Sequence, residues 1–162
     1  MSNSPGISGY LTAVKKLPPG ILVLLLFIVV ELCFMSQLAV RDIPLPVGPV
    51  VLSGVVARIY VLLSMMLLIG LCIGLVRKRS WARTLGIVWY LYDIVLAAAN
   101  YVSFVQSPGS FMDMYQQYKP DDVPMLSEII ITRVLGVNMI FLFISGGIII
   151  GYLYRSKKYF SR

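Results

Sequence analysis

The stretch "ILVLLLFIVVELCFMSQLAV", residues 21–40, decides what kind of protein this is. Ten apolar residues lead up to Glu31, and mostly apolar chemistry resumes after it. A helix of this length rises about 30 Å, the thickness of a bilayer's hydrocarbon core. A carboxylate near the middle of such a helix costs at least about 2.5 kcal/mol on insertion scales, so it is expected to face a bundle interior and to meet a partner there. The remaining chain must therefore supply other spans, and something for Glu31 to touch.

Composition agrees with a membrane setting. Of 162 residues, 59% are hydrophobic and 13% charged, with a mean hydropathy of +0.86; a soluble domain averages roughly 45–50% apolar and about 25% charged. The net charge of +7 lies in short clusters between apolar runs. It forms no single soluble basic face, which excludes nucleic acid as a partner. The chain has no histidine and only Cys33 and Cys72, both inside apolar runs. No metal centre, haem with histidine ligation, Ser-His-Asp triad or Cys-His pair is expected, and no cofactor.

Four segments have the length and apolarity of spans: 19–40, 50–76, 84–106 and 128–154. Pro18 and Pro19 suit the first turn of the first, where their missing N–H is not needed. The Lys15–Lys16 pair resembles the start of a signal peptide, but no small-x-small cleavage site follows, so an uncleaved anchor is expected. The fold class that follows is an all-α integral-membrane four-helix bundle, with residues 1–162 forming one membrane domain.

Orientation follows from lysine and arginine. Lys15, Lys16, Arg77, Lys78, Arg79, Arg83, Arg155, Lys157 and Lys158 fall on one side of such a bundle, while the other two connections hold only Arg41 and Lys119 beside several acids. Both termini are therefore expected in the cytoplasm, in a cytoplasmic (inner) membrane. The basic set Arg77, Lys78, Arg79, Arg83, Arg155, Lys157 and Lys158 is positioned to contact anionic lipid headgroups. Trp89, Tyr90 and Tyr92 read as an aromatic belt near that side. Residues 110–118 place Phe111, Met114, Tyr115 and Tyr118 on one helical face, as in a helix lying in the interface.

Four charges interrupt the spans: Glu31, Arg58, Asp93 and Arg133. Glu31 and Arg58 sit at matching depth, about 12–13 Å below the outer boundary at the helical rise, and sequential spans are neighbours. An intramembrane Glu31–Arg58 pair is the expected answer to the buried carboxylate. Asp93, Asn100 and Arg133 form a second polar set, a packing site or an ion or proton site. Gly70 with Gly74, and Gly147 with Gly151, are G-x-x-x-G pairs of the kind that lets helix backbones approach closely. In the fourth span, Arg133, Gly136, Gly147 and Gly151 share one side, expected to be the buried one, with Asn138 pointing away from it.

Two pieces, "RKRSWARTLGIV" and "YLYRSKKYF", resemble a broad set of small bacterial four-span membrane proteins of unassigned function. The resemblance implies the same topology and carries no catalytic residues with it. With no clustered acid–base set at headgroup level, no enzymatic activity is expected. The expected role is an accessory or regulatory subunit, or an oligomeric scaffold, working through helix–helix and inner-face contacts. Its partners are then membrane lipids and copies of itself or another membrane protein. The alternative is an oligomeric channel or small transporter built on the intramembrane polar residues.

Overall fold

The computed structural model describes residues 17–40, 44–109 and 128–160. Four helices account for most of them: α1, Pro19–Val40; α2, Gly54–Val76; α3, Ser80–Gln106; and α4, Glu128–Arg155. All four are long and apolar enough to cross a membrane. A 3-10 turn, Ser156–Phe160, continues α4. The interfacial helix expected at 110–118 lies outside the described residues.

Each helix starts and stops for a local reason. The α1 backbone is launched by the Pro18 carbonyl, which accepts the N–H groups of Ile21 at 2.9 Å and Leu22 at 3.2 Å. The second apolar run does not begin as a helix. Its first residues form a hairpin instead: β1, Leu45–Val47, pairs antiparallel with β2, Val50–Leu52. The two-residue turn is Gly48-Pro49, with Gly48 at φ +63°. Proline fixes a negative φ at the second turn position, so the left-handed glycine at the first makes this a type II′ turn, which matches the twist of the strands. The helix therefore starts at Gly54, four residues later than hydropathy alone suggests.

The α2–α3 connection is tighter still. The Arg79 N–H reaches the Gly74 carbonyl at 2.9 Å and the Lys78 N–H reaches Leu75 at 3.1 Å, the two bonds of a Schellman cap. The left-handed position that glycine usually fills is taken by Lys78, at φ 56°. Its ammonium lies 4.9 Å from the Tyr159 ring centroid, a cation–π contact that joins this turn to the end of α4.

Helices adjacent in sequence pack antiparallel, and α3–α4 is the most extensive pairing. Buried rows repeat every three to four residues: Ile21, Leu24 and Ile28 on α1; Val61, Ser64 and Leu68 on α2; Ala82, Gly86 and Trp89 on α3; Ile149 and Leu153 on α4. The core is concentrated toward the end where α2 gives way to α3, which is also the basic end. Outward surfaces stay apolar, with Leu26 and Phe34 on α1 each 64% exposed. A helix that is apolar on all sides yet exposed is suited to lipid rather than water. In lipid, which is as apolar as leucine, helices of this kind are held together by close packing and polar contacts rather than by a hydrophobic drive.

Close packing rests on particular glycines. A Cβ at Gly20 would overlap the Tyr152 ring, bringing α1 against α4. At Gly86 it would meet Leu153 of α4 at 2.9 Å and Leu71 of α2 at 3.5 Å, and at Gly146 it would meet Ile94 at 2.9 Å.

Candidate functional site

The buried row of α1 runs Ile21, Leu24, Ile28 and then, at the same spacing, reaches Glu31. Glu31 thus faces the bundle. It lies about 18 Å along α1 from Pro19, and Trp89 lies about 14 Å along α3 from Ser80, at the helical rise; the indole spans the remaining difference. The Trp89 Nε1–H donates to Glu31 Oε1 at 3.1 Å. A buried indole N–H needs an acceptor, and a carboxylate in a membrane needs a donor. Each supplies the other.

This replaces the expected Glu31–Arg58 pair. Depth was matched, but rotation about the helix axis was not. The buried row of α2 includes Ala57, Val61, Ser64 and Leu68, and Arg58 stands beside that row, exposed. Trp89 and Tyr90 likewise leave the aromatic belt for the interior, at 7% and 6% exposure. Tyr92, 39% exposed, stays outward, as does Trp81, 49% exposed at the basic end.

Around Trp89 the polar groups multiply. The Tyr60 and Tyr92 hydroxyls are 2.8 Å apart, joining α2 to α3, and Ser64 lies one turn beyond Tyr60 on the buried row. The Trp89 and Tyr92 rings are 6.0 Å apart and tilted at 46°. Asp93, one turn after Trp89, is half-buried and within electrostatic reach of Glu31 and of the Tyr60 and Tyr90 hydroxyls. The Tyr90 hydroxyl is buried without a hydrogen-bond partner among the described residues. Beside this cluster, α2 and α3 enclose an apolar groove of ≈ 320 Å³, floored by Ser64 and Trp89 and flanked by Tyr60 and Tyr92.

The second expected polar set divides. The Asn100 Oδ1 accepts the Gly48 N–H at 2.6 Å, so it anchors the hairpin turn to α3. Arg133 is exposed on α4. Asp93, about 10 Å along the helix from Asn100, belongs with Glu31 and Trp89 instead. Asp93, Ala97 and Asn100 do share one face of α3, but that face serves two structures, a mid-depth cluster and a hairpin anchor.

The glycine pairs divide too. Gly74 packs, since a Cβ there would lie 2.6 Å from the Ala82 Cβ and 2.8 Å from the Trp81 ring. Gly70, Gly147 and Gly151 have nothing within 4 Å of that position among the described residues, and both α4 glycines are exposed. The buried side of α4 is the row Gly146, Ile149 and Leu153, not the side carrying Arg133, Gly147 and Gly151. Asn138 is exposed.

At the basic end, Arg77, Arg79, Arg155, Lys157 and Lys158 are exposed, while Lys78 and Arg83 are half-buried. The α2–α3 turn and the end of α4 bring all seven to one end of the bundle. No protein-family model matches the chain, no curated protein is significantly similar to it, and no solved structure matches it significantly.

Proposed function

We propose that this chain is a non-enzymatic, multi-pass protein of the cytoplasmic membrane, acting as an accessory or regulatory subunit or an oligomeric scaffold. It works through helix–helix contacts within the bilayer and through its basic inner face. The observation that carries this reading is the Gly147/Gly151 face of α4, exposed and with open space above both glycines. Glycines four apart on a lipid-facing helix offer a second helix a backbone-close groove, and no other described residue packs against this one. The seven basic residues gathered at one end support a cytoplasmic position for both termini, with headgroup attraction of about 1 kcal/mol per basic residue near the surface.

The channel or transporter reading has less support. Glu31 is engaged by Trp89 and Asn100 by Gly48, so two of its candidate residues already serve the fold. Two measurements test the preferred role. Purified in a mild detergent, the protein is expected to travel with further copies or with another membrane protein, and Gly147→Leu/Gly151→Leu to release that partner. Reconstituted alone, it is expected to leave liposomes tight to protons and alkali cations. Selective ion flux that survives the double glycine change would overturn the reading in favour of a channel.

A further inference from the structure

Two buried donors at the basic end have no acceptor. The Arg83 Nε and the Tyr159 hydroxyl are both shielded from the surroundings, and neither has a hydrogen-bond partner among the described residues. The fold brings them to one level. Gly86 abuts Leu153 of α4, so Arg83, one turn nearer the basic end of α3, is level with the Ser156–Phe160 turn that carries Tyr159 and packs against α3. The Lys78 ammonium, 4.9 Å from the Tyr159 ring centroid, adds a second charge there. A buried donor without an acceptor is costly, and more so on a charged group.

No acidic side chain of the chain meets this need. Residues 1–30, 43–92 and 129–162 contain no aspartate or glutamate. The nearest along α3, Asp93, is about 15 Å from Arg83 at the helical rise. An arginine is charged at every physiological pH, so the counter-charge has to come from another molecule.

Two features choose among anions. The Nε–H and the terminal N–H beside it form a planar fork that matches two oxygens of one phosphate. Trp81, two residues before Arg83 and 49% exposed, marks the headgroup level at which exposed indoles of membrane proteins collect, and lipid phosphates stand there. Arg83 itself is half-buried between exposed Trp81 and Thr84, so its guanidinium reaches a headgroup by a change of rotamer.

We propose that Arg83, with Lys78 and Tyr159 as further donors, is a binding site for the phosphate of one anionic phospholipid. A zwitterionic headgroup brings its own cation to an end of the bundle that already gathers seven, and is disfavoured. The proposal rests on the cytoplasmic reading of the basic end, and adds one defined site to a general attraction.

The test uses the purified full chain, stripped of lipid by extended detergent washing. Its melting is followed against dioctanoyl phosphatidylglycerol, dioctanoyl phosphatidylcholine and inorganic phosphate, each shift being read from that variant's own lipid-free melting. The expected result is a saturable rise with phosphatidylglycerol, at a midpoint at least about tenfold below that of phosphatidylcholine. Arg83→Lys keeps the charge and loses the fork, and is expected to raise the phosphatidylglycerol midpoint about tenfold; Arg77→Lys, at an exposed position, is expected to leave it unchanged. Tyr159→Phe keeps the ring over Lys78 and removes the hydroxyl, with an expected rise of about threefold, the scale of one neutral hydrogen bond. A midpoint unchanged in both Arg83→Lys and Tyr159→Phe, with phosphatidylglycerol still ahead, would overturn the site and leave the general attraction standing. Phosphatidylglycerol no better than phosphatidylcholine would contradict both. The full shift from inorganic phosphate alone would overturn a lipid as the ligand.

Discussion

Replacing Trp89 with alanine is expected to be the most damaging single change in the bundle, lowering stability by about 3–5 kcal/mol, the range for truncating a large buried aromatic. Two losses add. The indole fills the interior between α1 and α3 at 7% exposure, and its N–H is the donor that Glu31 has at that depth. Trp89→Phe separates them, since it keeps most of the ring and removes the donor; its expected cost is about 1–3 kcal/mol, that of leaving a buried polar group without its partner. Glu31→Leu alone leaves a buried indole N–H bare and is expected to cost about 1–3 kcal/mol. The double change Trp89→Phe/Glu31→Leu removes both partners, so it is expected to cost less than the sum. Thermal unfolding in detergent, run as a double-mutant cycle, measures the coupling. Strict additivity would mean that the contact contributes nothing.

The second large effect concerns one half of a glycine pair. Gly74→Ala is expected to destabilise the bundle by about 1–3 kcal/mol, the usual cost of overpacking. The new methyl meets the Ala82 Cβ, an atom tied to the α3 backbone that has no rotamer to escape into. The same turn carries the Schellman bonds of Lys78 and Arg79, so a shift there strains the cap as well. Gly70→Ala, one turn earlier, meets nothing within 4 Å among the described residues. It is expected to be neutral or mildly stabilising, because alanine is the better helix former. Melting temperatures of the two variants, measured side by side, check the contrast. Equal effects would mean that the G-x-x-x-G pair acts as a unit.

These two cases also show what the sequence discloses and what it withholds. Helix number and approximate ends are legible because about 20 apolar residues in a row have few other uses. The hairpin was hidden because "LPVGPVVL" is as apolar as the helix that follows it. Gly48-Pro49 was the available signal, a turn dipeptide inside an apolar run. The depth of Glu31 was also legible, and it led to Arg58 because depth was the one coordinate that counting provides. Rotation about the helix axis comes from the whole buried row, and only that row puts Glu31 under Ile28 and opposite Trp89. A tryptophan at mid-depth did carry a clue, since its N–H has to find an acceptor. The G-x-x-x-G spacing, by contrast, is the same at Gly70/Gly74 and at Gly147/Gly151. Spacing alone does not tell a glycine packed inside one chain from a glycine left for another.

Disulfide cross-linking in native membranes tests directly whether the Gly147/Gly151 face of α4 is left for another helix. In a Cys33→Ser/Cys72→Ala background, cysteines are placed singly at Gly147, Ile149 and Gly151, and the membranes are oxidised before solubilisation. Rapid adducts are expected from positions 147 and 151, at twice the chain's mass if the partner is another copy or at a different mass if it is another membrane protein. None is expected from position 149, which faces the bundle at 9% exposure. Absence of any adduct at 147 and 151, or equal cross-linking at all three positions, would contradict that use of the face.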